Sequence, residues 1–426
     1  LWFKPSVAVV AALALARVLA PIHVPQGSVL SSLAFRGTTS DARQYLTVVA
    51  GTIITVTSLV FALTVVTLQI ASTQFSPRLL RTFLRDGGTQ VVLSGFVGTE
   101  AFALAGLFAV STGNESAPPR LAISAALALA LMCVGMLVYY IGHITNSIRI
   151  DSIMHRVEAD TRRTLVRYHN AVEWTAGDPD WASVPVPPDH AIILPTPVDG
   201  YVQGVDARLL PLAARKGLTV RLLPLVGYHV VAGHDLAVVW SDDGAPLKQT
   251  TLGAVTALIS VNPERRIERE FGLGLRQLVD IINRAMSTGQ NDPYTAAQAL
   301  HHLTSLMADA SRRSFATNQF GDRAGKVRVI VPIMGFPTHL RVVCGHTRQG
   351  GLERHPRVTL ELLRMLGVLG GTAVGERRVQ VIRREVEVVM ADAARAIRTQ
   401  TDLDEVLELG KHVLSSLDVR DAERCT

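Results

Sequence analysis

The sequence predicts a membrane protein: four transmembrane α-helices, then an α+β cytosolic region made of a small β unit and a helical bundle. Three observations carry that reading. No charged side chain stands between Gln44 and Pro77, and Arg78, Arg81 and Arg85 follow at once; about 20 apolar residues suffice to cross bilayer hydrocarbon. The apolar excess behind a hydrophobic content of 48% sits in the first third of the chain. Charge is uneven too: residues 1–150 hold nine Lys and Arg against four Asp and Glu, while the remainder holds 33 against 32. The net charge of +6 is therefore a membrane-flank signature rather than a nucleic-acid one.

Within residues 1–150 the four expected helices cover about 7–22, 45–71, 89–110 and 121–148. The first is interrupted by Arg17, which can snorkel to a headgroup from a helix end. It is not read as a signal peptide, because a further apolar run follows and no small-residue cleavage site is evident. Asn114, Pro118 and Pro119 mark a turn between the third and fourth. Arg78, Arg81 and Arg85 follow the second helix, and Arg149, Arg156, Arg162, Arg163 and Arg167 follow the fourth. The positive-inside rule then places both termini in the cytoplasm.

The second helix is two-sided. Thr47, Gly51, Thr55, Ser58 and Ala62, then Gln69, Thr73 and Ser76, recur at spacings of three and four and share one face. Small residues of this kind serve either close helix packing or a wet, pore-lining face, with Gln69 at the cytoplasmic mouth. Glu100 stands in the third helix among Leu93, Phe96, Ala103 and Leu107. A carboxylate there needs a partner or a cavity, so it either handles ions or is a hydrogen-bonded structural group.

Residues 151–188 read as a helix and a Pro-rich linker holding Gly177, Pro179, Pro185, Pro187 and Pro188. Residues 189–250 read as a small β unit, with strands at Asp199–Gln203, Thr219–Leu223 and Val226–Val239. In residues 251–325, Leu275, Leu278, Val279, Ile282 and Met286 form the apolar face of a helix over Glu268–Ser287. Its other face carries Arg276, Asp280 and Arg284, suited to helix ion pairs or to a ligand or partner. Asn291 closes the connection, Asp292 caps the next helix and Pro293 opens it. Residues 326–426 begin with strands at Lys326–Pro332 and Leu340–Val343. Helices follow at about Arg357–Leu369, Arg378–Arg398 and Leu403–Leu417.

Two resemblances follow. The pattern Val226-Gly227, Val230, Gly233, Leu236 and Val239 resembles the hammerhead of biotinyl/lipoyl-like barrel-sandwich domains. No lysine sits in the flanking context of a carrier, so only the small β fold is implied. The runs Phe271-Gly272-Leu273-Gly274-Leu275-Arg276-Gln277-Leu278-Val279-Asp280-Ile281, Arg284-Ala285-Met286-Ser287 and Asn291-Asp292-Pro293-Tyr294-Thr295-Ala296 are similar to a family of predicted bacterial membrane proteins, domain of unknown function 2254. Gln74-Phe75-Ser76-Pro77-Arg78-Leu79-Leu80-Arg81 and Gln90-Val91-Val92-Leu93 resemble its second membrane block. The resemblance implies a bacterial plasma-membrane location and no known reaction, and the family differs near Glu100.

Catalytic chemistry is not visible. There is no phosphate-binding loop, no His-Glu-x-x-His and no nucleophile elbow. His339, Cys344, His346 and His355 match no standard zinc spacing, so no metal or cofactor is expected. Cys133, Cys344 and Cys425 imply no disulfide framework. His301 and His302 are adjacent on a helix, one facing the surface and one the core. Gly367, Gly370 and Gly371 read as a turn. No basic and aromatic interleaving points to nucleic acid, and aromatic residues make up only 5%. The expected activity is an oligomeric channel or transporter for ions or small solutes, with Thr55, Ser58, Gln69 and Glu100 on its path and a cytosolic assembly domain. The alternative is a non-conducting sensor or scaffold binding a ligand or protein through Arg276, Asp280, Arg284, Asn291 and Asp292. A hydrolase has no nucleophile–base pair to support it.

Overall fold

The computed structural model describes residues 3–19, 21–22, 35–74, 87–112, 119–169, 183–351 and 355–425. Arg78, Arg81 and Arg85, Ser76, residues 114–118 and residues 175–182 lie outside the described residues. The chain divides into two units, Leu1–Ile153 and Met154–Thr426.

The first unit is helical: α1 (Phe3–Leu19), α2 (Thr39–Gln74), α3 (Gly87–Thr112) and α4 (Arg120–Ile148). Three of these are long and apolar enough to cross a membrane, over Thr39–Ile70, Gly87–Ser111 and Arg120–Ser147. The expectation of four crossings is corrected to three. Helix α1 has 17 residues, a length of about 26 Å against roughly 30 Å of hydrocarbon. Large apolar side chains stand exposed on all three spans, among them Val48, Leu59, Val65, Phe108, Leu131 and Val138. Such faces suit lipid and not water.

Helix α3 is the centre of this unit, packed on by α1, α2 and α4. Its glycines permit that approach. A Cβ on Gly98 would meet the Ala8 Cβ of α1 at 3.5 Å, one on Gly106 would meet Leu46 of α2 at 3.4 Å, and one on Gly95 would press into Met136 of α4. The close-packing seam is thus on α3, not on the small-residue face of α2. Thr47, Gly51, Thr55, Ser58, Ala62 and Gln69 are all exposed. Phe96, Phe102, Leu46, Ile123 and Tyr140 fill the interior. The Tyr140 hydroxyl lies 2.6 Å from Thr64 Oγ1 and donates to the Val60 carbonyl at 3.2 Å, so this buried polar group is satisfied.

The second unit begins on α5 (Ile150–Tyr168), then β1 (Ile192–Pro195), β2 (Gly200–Val205), α6 (Leu209–Lys216), β3 (Leu218–Leu222), β4 (His229–Val230), β5 (Asp235–Ser241), α7 (Gln249–Ala257) and β6 (Ile259–Asn262). It continues through α8 (Phe271–Ala285), α9 (Pro293–Ala310), β7 (Asn318–Gly321) and β8 (Val327–Val331). Four helices close it: α10 (Phe336–Gly351), α11 (Pro356–Thr372), α12 (Glu376–Ala396) and α13 (Gln400–Cys425).

Among the described residues two sheets form, a five-stranded one in the order β1-β5-β3-β8-β7 and a three-stranded one in the order β4-β2-β6. Strand β8 pairs parallel with β3, Val220 opposite Val329, and the other pairs are antiparallel. The barrel-sandwich expectation finds no support in this topology. Gly227 and Gly233 do make turns at positive φ, 89° and 86°, but the strands they separate go to different sheets. One sheet is completed from beyond α8 and α9. Leu340–Val343 is helical, not a strand: Phe336, Leu340, Val343, Cys344 and Thr347 are all buried, a helical period that outweighs a short β-branched run. Gly367, Gly370 and Gly371 lie inside α11 rather than in a turn. There the missing side chain of Gly370 leaves space for Leu417 of α13.

Candidate functional site

The motif Phe271-Gly272-Leu273-Gly274 starts α8, and both glycines answer a steric demand. A Cβ on Gly274 would lie 1.8 Å from Thr161 Oγ1 of α5, and one on Gly272 would lie 2.8 Å from His339 Cε1 of α10. Two other helices therefore press on the first turn of α8. No side chain caps that turn: Glu270 occupies the N-cap position without a capping hydrogen bond, leaving its first N–H groups without a side-chain acceptor. The Glu270 carboxylate instead pairs with Arg265.

This helix start opens on a cavity of about 120 Å³. Thr164, Tyr168 and His169 come from the α5 side, Gln203 and Val205 from β2, Phe320 from β7 and His339 from α10. Its aromatic wall is continuous. His169 stacks on Phe315 at 4.1 Å between centroids, and His339 meets Phe271 edge-on at 5.2 Å. Burial pushes the His339 imidazole down to about 3, with His169 adding repulsion, so the ring is neutral at physiological pH.

Gln203 is the chemically informative side chain. It is 5% exposed. Its Nε2 donates to the Glu264 carbonyl at 3.0 Å, which fixes the amide orientation, since the flipped amide would set oxygen against oxygen. Its Oε1 is buried and has no partner among the described residues. A buried acceptor left empty costs about 1–3 kcal/mol. Gln203, with its unfilled acceptor, and Phe271 and Gly272, at the uncapped start of α8, all line this one cavity.

The residues expected from sequence do not gather here. Arg276 lies 3.2 Å from His346 Nε2. Asp280 and Arg284 of α8 each have interactions of their own. Asn291 takes a left-handed φ of 48° and lies 2.5 Å from His355 Nε2. Asp292 caps α9 as expected, accepting from the Tyr294 and Thr295 N–H groups at 3.1 Å each. His339, Cys344, His346 and His355 form no cluster able to share a metal ion among the described residues. In the first unit, the Thr47, Thr55 and Ser58 hydroxyls donate to the carbonyls of Arg43, Gly51 and Ile54. Glu100 is half-buried and makes no hydrogen bond or ion pair with a described residue. Gln203 and His169 were missed, and His339 was weighed only as a metal ligand, because the strand and two helices that bring them together are distant in sequence. The Phe271–Gly274 run was the one available signal.

Comparison with known proteins agrees with a membrane assignment. A family described as "Predicted membrane protein (DUF2254)" matches residues 1–367. An uncharacterized protein of Mycobacterium tuberculosis H37Rv is 36% identical over 411 residues, covering 95% of this chain and 78% of the relative. An uncharacterized protein of Mycobacterium bovis matches at the same identity and coverage. No solved structure matches. The chain belongs to the DUF2254 family of predicted membrane proteins.

Proposed function

We propose that this protein is a membrane-anchored sensor whose second unit binds a small polar molecule in the cavity at the start of α8. The observation that carries the reading is that Gln203, whose buried Oε1 is unpaired among the described residues, lines the same cavity as the start of α8, which no side chain caps. Concave sites with an apolar wall and a few convergent polar groups are the usual form of a small-molecule site. The ligand supplies an N–H or O–H donor to Gln203 and an acceptor to the N-terminus of α8. By the positive-inside rule, the chain after Ser147 lies in the cytoplasm, and so does this cavity. Thermal-shift screening of the purified full chain against small amides, purines, pyrimidines and polyols tests the reading. A compound that raises the melting temperature of the wild type and not of Gln203→Leu supports it. Equal shifts in both proteins, or none with any compound, defeat it.

A second reading is conduction by a homo-oligomer. It is favoured by the outward placement of Thr47, Gly51, Thr55, Ser58 and Gln69 on α2 and by Glu100, half-buried without a described partner. The back-bonded hydroxyls of Thr47, Thr55 and Ser58 weigh against it, since they are satisfied on a lipid-facing helix. Liposome flux with wild type and Glu100→Gln decides: unchanged or absent flux removes this reading.

A further inference from the structure

Helix α5 carries His155 and Glu158 three residues apart on one face, and His302 of α9 meets them. The Nδ1 atom of His302 lies 2.5 Å from Glu158 Oε2. The imidazoles of His155 and His302 meet edge to face, 4.8 Å between centroids and 85° between planes. One donor atom from each of the three side chains lies within 4.8 Å of the others. Two imidazoles and a carboxylate, contributed by two helices, thus converge on one point.

The surroundings orient these groups. Glu158 Oε1 accepts from Arg162 Nη2 at 2.7 Å, and the same guanidinium bonds Ser305 Oγ at 2.7 Å and pairs with Asp309. Arg162 thereby takes one carboxylate oxygen and leaves Oε2 turned toward His302. An outer partner that fixes a carboxylate in this way is characteristic of metal ligation. A simple His302–Glu158 hydrogen bond accounts for two members of the cluster and leaves the third unexplained. His155 makes no hydrogen bond to a described residue and still stands beside them.

We propose that His155, Glu158 and His302 bind one divalent transition-metal ion of the zinc class. The donor set of two nitrogens and one oxygen suits such an ion, whereas calcium and magnesium select oxygen ligands. Three protein donors leave a coordination position for water. Donors about 3.3 Å apart are needed around an ion bound at roughly 2.0–2.1 Å. His302 and Glu158 must open slightly, and the exposed His155 is free to swing in. The bound ion ties α5 to α9. Helix α5 follows the last membrane span in sequence and also contributes Thr164 and Tyr168 to the cavity.

The test uses the chelator-stripped full chain in detergent, with any purification tag removed, titrated with Co²⁺ and then Zn²⁺. One equivalent of Co²⁺ is expected to give visible d–d absorption, which Zn²⁺ abolishes. His155→Ala, Glu158→Gln and His302→Ala should each weaken binding by at least about 10-fold. His301→Ala, whose imidazole faces Glu361 instead, should bind as the wild type does. Because His155 is exposed, His155→Ala should leave the metal-free melting temperature unchanged, which separates lost ligation from lost folding. Absence of stoichiometric binding overturns the proposal, and so does wild-type affinity in both His155→Ala and His302→Ala.

Discussion

Substituting Gly274 by alanine tests whether α5 is seated on α8 as described. In an open helix interior this change stabilises by about 1 kcal/mol, because alanine restricts the unfolded chain and favours the helix. Here the added Cβ would stand 1.8, 2.7 and 2.8 Å from Oγ1, Cγ2 and Cβ of Thr161. Thr161 cannot simply turn away: it is fully buried, and its hydroxyl donates to the Val157 carbonyl at 2.5 Å. Restoring ordinary contact requires α5 to move by roughly 1.5 Å. Overpacking of this kind costs about 1–3 kcal/mol. Taking the upper end, for three simultaneous overlaps, and subtracting the helix-propensity gain gives a net loss of about 2 kcal/mol. Thr161→Ala removes the two atoms Oγ1 and Cγ2, so the double variant should recover part of the loss, with a coupling of about 1 kcal/mol in a double-mutant cycle. Thermal and urea unfolding of the full chain, followed by tryptophan fluorescence with Trp240 buried in this unit, measures both quantities. A Gly274→Ala protein as stable as the wild type, or more so, refutes the packing argument.

Three further outcomes follow from the same unit. His339 has its pKa pushed down by burial from 6.5 to about 3. The unfolded chain therefore takes up a proton that the folded chain refuses, and stability is full above about pH 6.5 and lost as pH falls toward 3. At pH 5 the loss is about 2 kcal/mol, and the pH slope of unfolding should be shallower in His339→Gln. Asp292→Ala removes the cap on Tyr294 and Thr295 and should cost about 1 kcal/mol. The hydrogen bond from the Thr295 side chain holds the Asp292 carboxyl below its usual value, so this contribution should fade as pH falls through the acidic range, as denaturation of wild type and variant at successive pH values will read. Arg378 is fully buried and donates to the Ser311 and Arg313 carbonyls at 2.8 and 2.7 Å, 4.8 Å over the Phe336 ring. Arg378→Met leaves those acceptors empty and should cost about 3 kcal/mol, seen as a lower urea midpoint.

What could be read in the sequence was local. The existence of the three spans α2, α3 and α4 follows from apolar length, and the apolar face of α8 and the Asp292-Pro293 start of α9 follow from period and capping chemistry. Helix α1 was overcounted as a crossing because its composition is apolar while its length is short. The small and polar residues of α2 can be read from their spacing, but which helix supplies the packing seam depends on the neighbours of Gly95, Gly98 and Gly106. The sheet was hidden because β3 finds its parallel partner β8 from 109 residues away, Val220 opposite Val329. The cavity and the His155–Glu158–His302 cluster were hidden for the same reason. Each needs groups from elements that meet only after α5 settles on α8 and α9. The glycines of Phe271-Gly272-Leu273-Gly274 marked that meeting place, but a glycine records close approach without naming what approaches.

The cavity at Gln203 is proposed to hold a small molecule. Native mass spectrometry of the full chain, released from detergent after incubation with the most stabilising compound of the thermal screen, tests it most directly. One bound equivalent is expected on the wild type and none on Gln203→Leu at the same concentration. Equal occupancy of the two proteins, or no adduct on either, would contradict it.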